Sequence, residues 1–257
     1  MTDQTLLEFS PLRDRRNLVG VTTTPAVLHV PELADEPGLV HGFSTVALGS
    51  MGLTQSPDPD AVMASRRHFA RVLGIDADSL TVAGAVHGAV AARVDEQKDV
   101  VRGADALVTD RREVALFATF ADCYPIVLWD PEHRSAALVH AGWRGTAARV
   151  GPAALKAMHD EYGSSPARIR AGIGPGICGR CYEVGPEVAE QFDAKFVREG
   201  AGDRLLLDLA AANRAQLEDL GVELVYDIGI CTKEHYLFPS HRRHPDGTRF
   251  GTIVAVR

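Results

Sequence analysis

The sequence predicts a mixed α/β fold. Three observations carry that prediction. Short apolar runs of strand length alternate with amphipathic segments of helix length. Asp, Pro and Gly punctuate the boundaries between them. A composition of 46% hydrophobic and 24% charged residues lies in the range of folded globular proteins. Apolar runs at 80–86, 114–120, 125–129, 136–140, 169–173, 222–226 and 252–256 read as strands. Asp58-Pro59 supplies the N-cap and first-turn proline of a helix whose apolar positions Val62, Phe69 and Leu73 run to Gly74. A second helix covers roughly 146–162, with Pro152 either kinking it or marking its first turn and Gly163 ending it. Gly185-Pro186 opens a third, with Val188, Phe192 and Phe196 four apart on one face. Asp208 caps a fourth in which Ala210, Leu217 and Leu220 lead to Gly221.

With no Ser/Gly/Pro-rich linker, repeat or low-complexity tract, residues 1–257 read as a single domain. Twenty-seven Lys+Arg against 34 Asp+Glu give a formal charge of −7, which leaves no global positive field for nucleic acid or anionic membranes. The first sixteen residues are charged and lack an apolar run of signal-peptide length, so a cytoplasmic protein is expected. The longest uncharged stretch, 37–57, is interrupted by glycines and reads as strand and loop, not as a membrane helix. Four cysteines in a chain of this size read as reduced thiols, free to bind metal, react or pack.

Two motifs have weak readings. Gly174-Pro175-Gly176-Ile177-Cys178-Gly179 matches G-x-G-x-x-G after a strand, but extended-looking residues follow it, which favours a tight turn over a dinucleotide loop. Cys178-Gly179-Arg180-Cys181 lacks both the helix N-terminus of a redox site and a second ligand pair, which favours packed thiols.

The informative stretch is Ala121-Asp122-Cys123-Tyr124-Pro125, read as a strand, and then His140-Ala141-Gly142-Trp143-Arg144-Gly145. A turn at Asp130-Pro131 between two short strands would bring Cys123 and His140 together as in a hairpin. Zinc ligation, copper ligation and a Cys-His nucleophile pair all suit that pairing. Gly142 and Gly145 permit close backbone approach, Arg144 offers a five-donor fork, and the following helix start adds partial positive charge, an anion pocket in outline.

These residues carry a resemblance to the YfiH-like family. The family was formerly called multicopper polyphenol oxidase or laccase-like, is also named peptidoglycan editing factor, and is now described as purine nucleoside phosphorylases. The resemblance runs from His41-Gly42-Phe43-Ser44-Thr45 through Val86-His87-Gly88, Ala104-Asp105-Ala106-Leu107-Val108-Thr109, the Cys123 motif and His140–Gly145. It continues through Gly174-Pro175, Cys181-Tyr182-Glu183-Val184-Gly185, Asp208-Leu209, Cys231-Thr232 and Ser240-His241-Arg242-Arg243. It implies mixed β-sheets flanked by helices in layers and a metal, zinc with copper as the alternative, held by His87, Cys123 and His140. Two imidazoles and a thiolate suit zinc, and three protein ligands leave a fourth position for water or substrate. Where the family usually has Arg, Gln, Asn and Tyr, this chain has Val46, Ala85, Ser65 and His241, and the usual N-L-G segment is not recognisable around 51–55.

The resemblance further implies phosphorolysis of adenosine, inosine and S-methyl-5′-thioadenosine, together with adenosine deamination. Arg144, Arg242 and Arg243 are the phosphate candidates, and Tyr182 stacks on a purine or fills core. Asp122 or Glu183 would be the proton-carrying carboxylate, with Asp122 otherwise supporting the ligand beside it. A metal-free cysteine hydrolase or amidase with Cys123 as nucleophile and His140 as base is the rival, and a cell-wall editing partner or polyphenol oxidase a third reading. A monomer is expected.

Overall fold

The computed structural model describes residues 24–257 except residue 55, so the reading of the first sixteen residues lies outside the described residues. Two six-stranded mixed sheets form its centre. The first runs, edge to edge, Val27–Leu28, Leu39–Ser44, Phe250–Val256, Ala115–Phe120, Leu80–Gly84 and Val100–Arg102. The second runs Leu224–Asp227, Arg170–Ile173, Tyr124–Asp130, Ser135–Ala141, Ala106–Thr109 and Ala91–Arg93. A small antiparallel sheet of Glu183–Val184, Leu205–Leu207 and Val197–Glu199 stands beside them.

Alternation along the strands stacks these sheets into layers. In Tyr124–Asp130, Val127 and Trp129 point toward the first sheet and meet Leu116, Phe120, Phe250 and Val254. Ile126 and Leu128 point the other way and meet Val150, Ala154 and Met158 of the helix Val150–Tyr162. Ala136 and Leu138 share the inter-sheet face while Ala137 and Val139 share the helix face. The outer face of the first sheet, with Phe117 and Ile253, receives Phe69 and Ala70 from the helix Pro59–Val72. The order is therefore helix, sheet, sheet, helix. Because both faces of the central strands are covered, they read in sequence as unbroken apolar runs.

All seven expected strands are present, shifted by a residue or two at their ends. The Asp58 carboxylate accepts from the Ala61 N–H and the Asp208 carboxylate from the Ala211 N–H, as helix caps should. The helix expected over 146–162 is two: Trp143–Ala147, then Val150–Tyr162, separated by Arg149 in the left-handed region (φ 64°). Pro152 thus falls in the first turn of the second, where its missing N–H costs nothing. The helix opened by Pro186 ends at Ala189 after four residues, and the expected continuation through Phe196 is absent. Asp193 instead accepts from the Lys195 N–H and starts a separate turn, with Phe192 and Phe196 reaching the core independently. Ala121–Cys123 is a bend, not the strand expected there.

Candidate metal centre

Two crossings between the sheets and one strand end meet at a single mouth. His87 lies on the connection from Leu80–Gly84 in the first sheet to Ala91–Arg93 in the second. Cys123 lies on the bend between Ala115–Phe120 and Tyr124–Asp130, which also changes sheet. His140 ends the hairpin strand Ser135–Ala141, paired opposite Pro125, on the inter-sheet face beside Phe120. The expected hairpin therefore exists, and the ligand atoms of His87, Cys123 and His140 all lie within 4.8 Å of one another. The two imidazoles meet edge to face with centroids 4.9 Å apart.

Asp105, wholly buried, organises this cluster. Its Oδ1 accepts from the His87 N–H at 2.8 Å, and its Oδ2 accepts from the N–H groups of Gly88 at 2.8 Å and Val86 at 3.2 Å. The same carboxylate meets His140 Nδ1 at 3.3 Å, which leaves Nε2 as the ring nitrogen for a ligand. Three backbone donors thus hold His87 in the left-handed conformation (φ 62°) that aims its ring at Cys123. Burial would push the Asp105 carboxyl up, but His140 and the Gly88 and Val86 N–H groups hold it below the usual carboxylate range. The motifs in the sequence give Asp105 no role at the site. The available signal was an acid set in an otherwise apolar stretch, where a charge is buried only with partners.

Burial alone would raise the Cys123 thiol, yet His140 and His87 draw it down to about 6. Burial would lower His140, yet Cys123 and Asp105 lift it to about 9. A thiolate beside the cationic His140 imidazole is the charge distribution a metal ion would take over. Space is reserved as well: a Cβ on Gly142 would stand 2.8 Å from Cys123 Sγ and 3.2 Å from His87 Cδ2. The donor set therefore fits zinc, with copper also compatible, and Cys123, His140 and His87 leave an outward side for water or substrate.

The remaining expected residues divide. Tyr182 is buried, and its hydroxyl is pushed up to about 12, chiefly by burial and the Cys123 charge, while Arg242 and Arg144 pull it back. Its hydroxyl therefore feels the thiol and both guanidinium groups. Arg242 lies over the Tyr182 ring at 4.9 Å and donates Nη1 to the Glu183 carbonyl, and exposed Arg144 stacks on Trp143 at 4.4 Å. Arg243 points elsewhere, donating to the carbonyls of Thr232, Lys233 and Phe238. Asp122 accepts from the Thr232 hydroxyl at 2.6 Å and the Arg242 N–H at 2.7 Å, so both its oxygens are occupied. Glu183 is exposed, on a strand position opposite in sense to buried Tyr182. The glycines of the 174–179 run make room for aromatic rings: a Cβ on Gly174 would strike Phe43 and one on Gly176 would strike Tyr124.

The family model described as multi-copper polyphenol oxidoreductase laccase matches residues 40–257. The chain belongs to that family. Within the family it is 40% identical to a purine nucleoside phosphorylase of Deinococcus radiodurans, over 90% of this chain and 91% of that protein. It is 38% identical to adenosine deaminase RL5 of an unknown prokaryotic organism, over 71% of this chain and 76% of that protein. The solved structure of YlmD from Geobacillus stearothermophilus superposes with a TM-score of 0.85 at 29% identity, covering 91% of this chain and 97% of that one. The layered arrangement of mixed sheets and helices is the family's.

Proposed function

We propose that this chain is a metal-dependent purine nucleoside phosphorylase acting on adenosine, inosine and S-methyl-5′-thioadenosine, with adenosine deaminase activity at the same site. The observation that carries the reading is the convergence of His87, Cys123 and His140, with the stacked pair of Tyr182 and Arg242 and the Arg144 guanidinium within electrostatic reach. The relatives named purine nucleoside phosphorylase and adenosine deaminase support it. In phosphorolysis a phosphate oxygen bonds to C1′ as the bond from C1′ to the base nitrogen breaks, releasing free base and ribose 1-phosphate. Arg144 and Arg242 would hold the phosphate anion in their guanidinium forks while the sugar acquires positive character. Tyr182 would orient the purine, and Asp105 would keep His140 in one tautomer. Asp122, bonded to Thr232 and to the backbone of Arg242, serves to set the arginine loop against the Cys123 bend. Zinc held by His87, Cys123 and His140 would supply Lewis acidity and acidify water, which is the chemistry deamination requires.

The metal-free alternative has its own support: Asp105, His140 and Cys123 lie in series, with the thiol lowered to about 6 beside a cationic imidazole. A nucleophilic cysteine needs one base, however, and leaves the second convergent imidazole, His87, without a task. The test is to incubate protein of measured metal content with each nucleoside, with and without phosphate, beside Cys123→Ala. Free base released by the unsubstituted protein only when phosphate is present is the expected result, and inosine formed from adenosine without phosphate reports the deaminase. Nucleoside turnover insensitive to chelation but abolished by iodoacetamide on metal-free protein would favour the thiol enzyme instead.

A further inference from the structure

The motif that this site leaves unused is Cys178-Gly179-Arg180-Cys181. In sequence it lacks a second ligand pair, and the fold supplies one. The strands Arg170–Ile173 and Leu224–Asp227 are parallel neighbours, so the loops leaving their ends travel together. Gly176 and Cys231 form a parallel bridge, the Gly176 N–H donating to the Ile230 carbonyl at 3.2 Å and the Thr232 N–H to the Gly176 carbonyl at 2.9 Å. Each loop then turns tightly. The Cys181 N–H donates to the Cys178 carbonyl at 2.8 Å, and the His235 N–H to the Cys231 carbonyl at 2.9 Å, which turns Glu234 back toward Cys231.

The outcome is three sulfurs and one carboxylate oxygen, from Cys178, Cys181, Cys231 and Glu234, all within 4.8 Å of one another. Tetrahedral ligands about 2.3 Å from zinc stand about 3.8 Å apart, so only a small contraction closes the set. All three cysteines are free thiols, and the Cys178 N–H already donates to Cys231 Sγ at 3.3 Å, the kind of bond that steadies a thiolate ligand. Arg180 pairs with Glu234 at 2.9 Å and offsets the negative charge that three thiolates and a carboxylate bring to a dication. Three soft donors select zinc over magnesium or calcium, and four protein ligands leave no open position.

We propose that Cys178, Cys181, Cys231 and Glu234 bind a second metal ion, a closed structural zinc separate from the His87–Cys123–His140 centre. Ligation releases the thiol protons to solvent and ties two loops together. One loop leads into Tyr182 and the Glu183 carbonyl that receives Arg242, and the other carries Thr232, which holds Asp122. The second zinc is thus a staple for the loops that carry those contacts.

The test is metal content per chain of full-length protein purified with reductant and zinc, then dialysed. The unsubstituted protein should hold two equivalents, His87→Ala one, Cys181→Ser one, and the double variant none. Cobalt loaded into His87→Ala should give a near-ultraviolet thiolate-to-metal band that Cys181→Ser removes. Glu234→Cys alters an exposed side chain, so folding does not confound it, and it should keep its equivalent and intensify the band. Equal metal content in the unsubstituted protein and a folded Cys181→Ser variant overturns the proposal. So does a His87→Ala variant without bound metal or cobalt band, a Glu234→Cys band left unchanged, or a Cys178–Cys181 disulfide in the reduced preparation. The His87→Ala arms keep failure here distinct from failure of the first centre.

Discussion

Asp105 serves three backbone N–H groups and one imidazole with two oxygens, so its replacement cannot be neutral. Asp105→Asn turns one acceptor into a donor facing donors, and metal affinity should fall about 10- to 100-fold, read by competition with a chromogenic chelator. Gly142→Ala should empty the same centre by another route, since its methyl would sit 2.8 Å from Cys123 Sγ, and metal analysis of folded protein would register the loss. A third residue governs acid stability. His41 is buried, its Nε2 accepts from the Val30 N–H at 2.9 Å, and burial, with nearby His29, lowers it from 6.5 to about 3. Between those values the unfolded chain binds a proton that the folded chain refuses, so stability present above pH 6.5 drains away as pH falls toward 3. The loss should reach about 2 kcal/mol by pH 5, and urea unfolding of His41→Gln should show a slope shallower by about one proton. Cys123 and His140 were legible at this scale because a hairpin could join them. His87 was reached only through the family resemblance, because its convergence depends on a left-handed loop held by a distant carboxylate.

At the scale of elements, the arginine loop after Ser240 shows how two adjacent guanidinium groups divide their work. Arg242→Ala and Arg144→Ala should raise the KM for phosphate with smaller effects on nucleoside binding, because both guanidinium groups remain exposed and free to grip an anion. Arg243→Ala should leave those constants nearly unchanged in the folded protein and cost about 2–3 kcal/mol of stability, seen in thermal unfolding, because it frees three carbonyls. The sequence could not distinguish the pair, since partner carbonyls are set by loop path. Helices with a side-chain cap and a glycine stop were readable, as Pro59–Val72 and Leu209–Glu218 show. The segment after Pro186 misled because its four-residue apolar spacing satisfies a helix pattern, while Asp193 bonds its own backbone and breaks the run. Short strands such as Ala91–Arg93 and Val100–Arg102 carry too few residues for any period to register.

The whole molecule explains why the cysteines divide as they do. Two sheets packed face to face must be joined by chain crossings, and the crossings through His87 and Cys123 end beside the strand end bearing His140. Composition and alternation make the mixed fold legible, but which strand neighbours which is decided by pairings that no local pattern states. The same limit hid the proposed partners of Cys178 and Cys181, which come from the loop after a parallel strand about fifty positions away. Layering also predicts where the fold is least forgiving. Trp129 lies fully buried between the sheets, so Trp129→Ala should cost about 3–5 kcal/mol in urea unfolding. Trp129→Phe, which also removes a buried indole N–H with no acceptor among the described residues, should cost well under half of that. The most direct measurement of the central claim is phosphate-dependent release of hypoxanthine from inosine by unsubstituted protein and His87→Ala, each with known metal content. The account predicts that the variant loses one equivalent of metal and at least about a hundredfold in rate. Undiminished release by a His87→Ala variant stripped of that metal would contradict it.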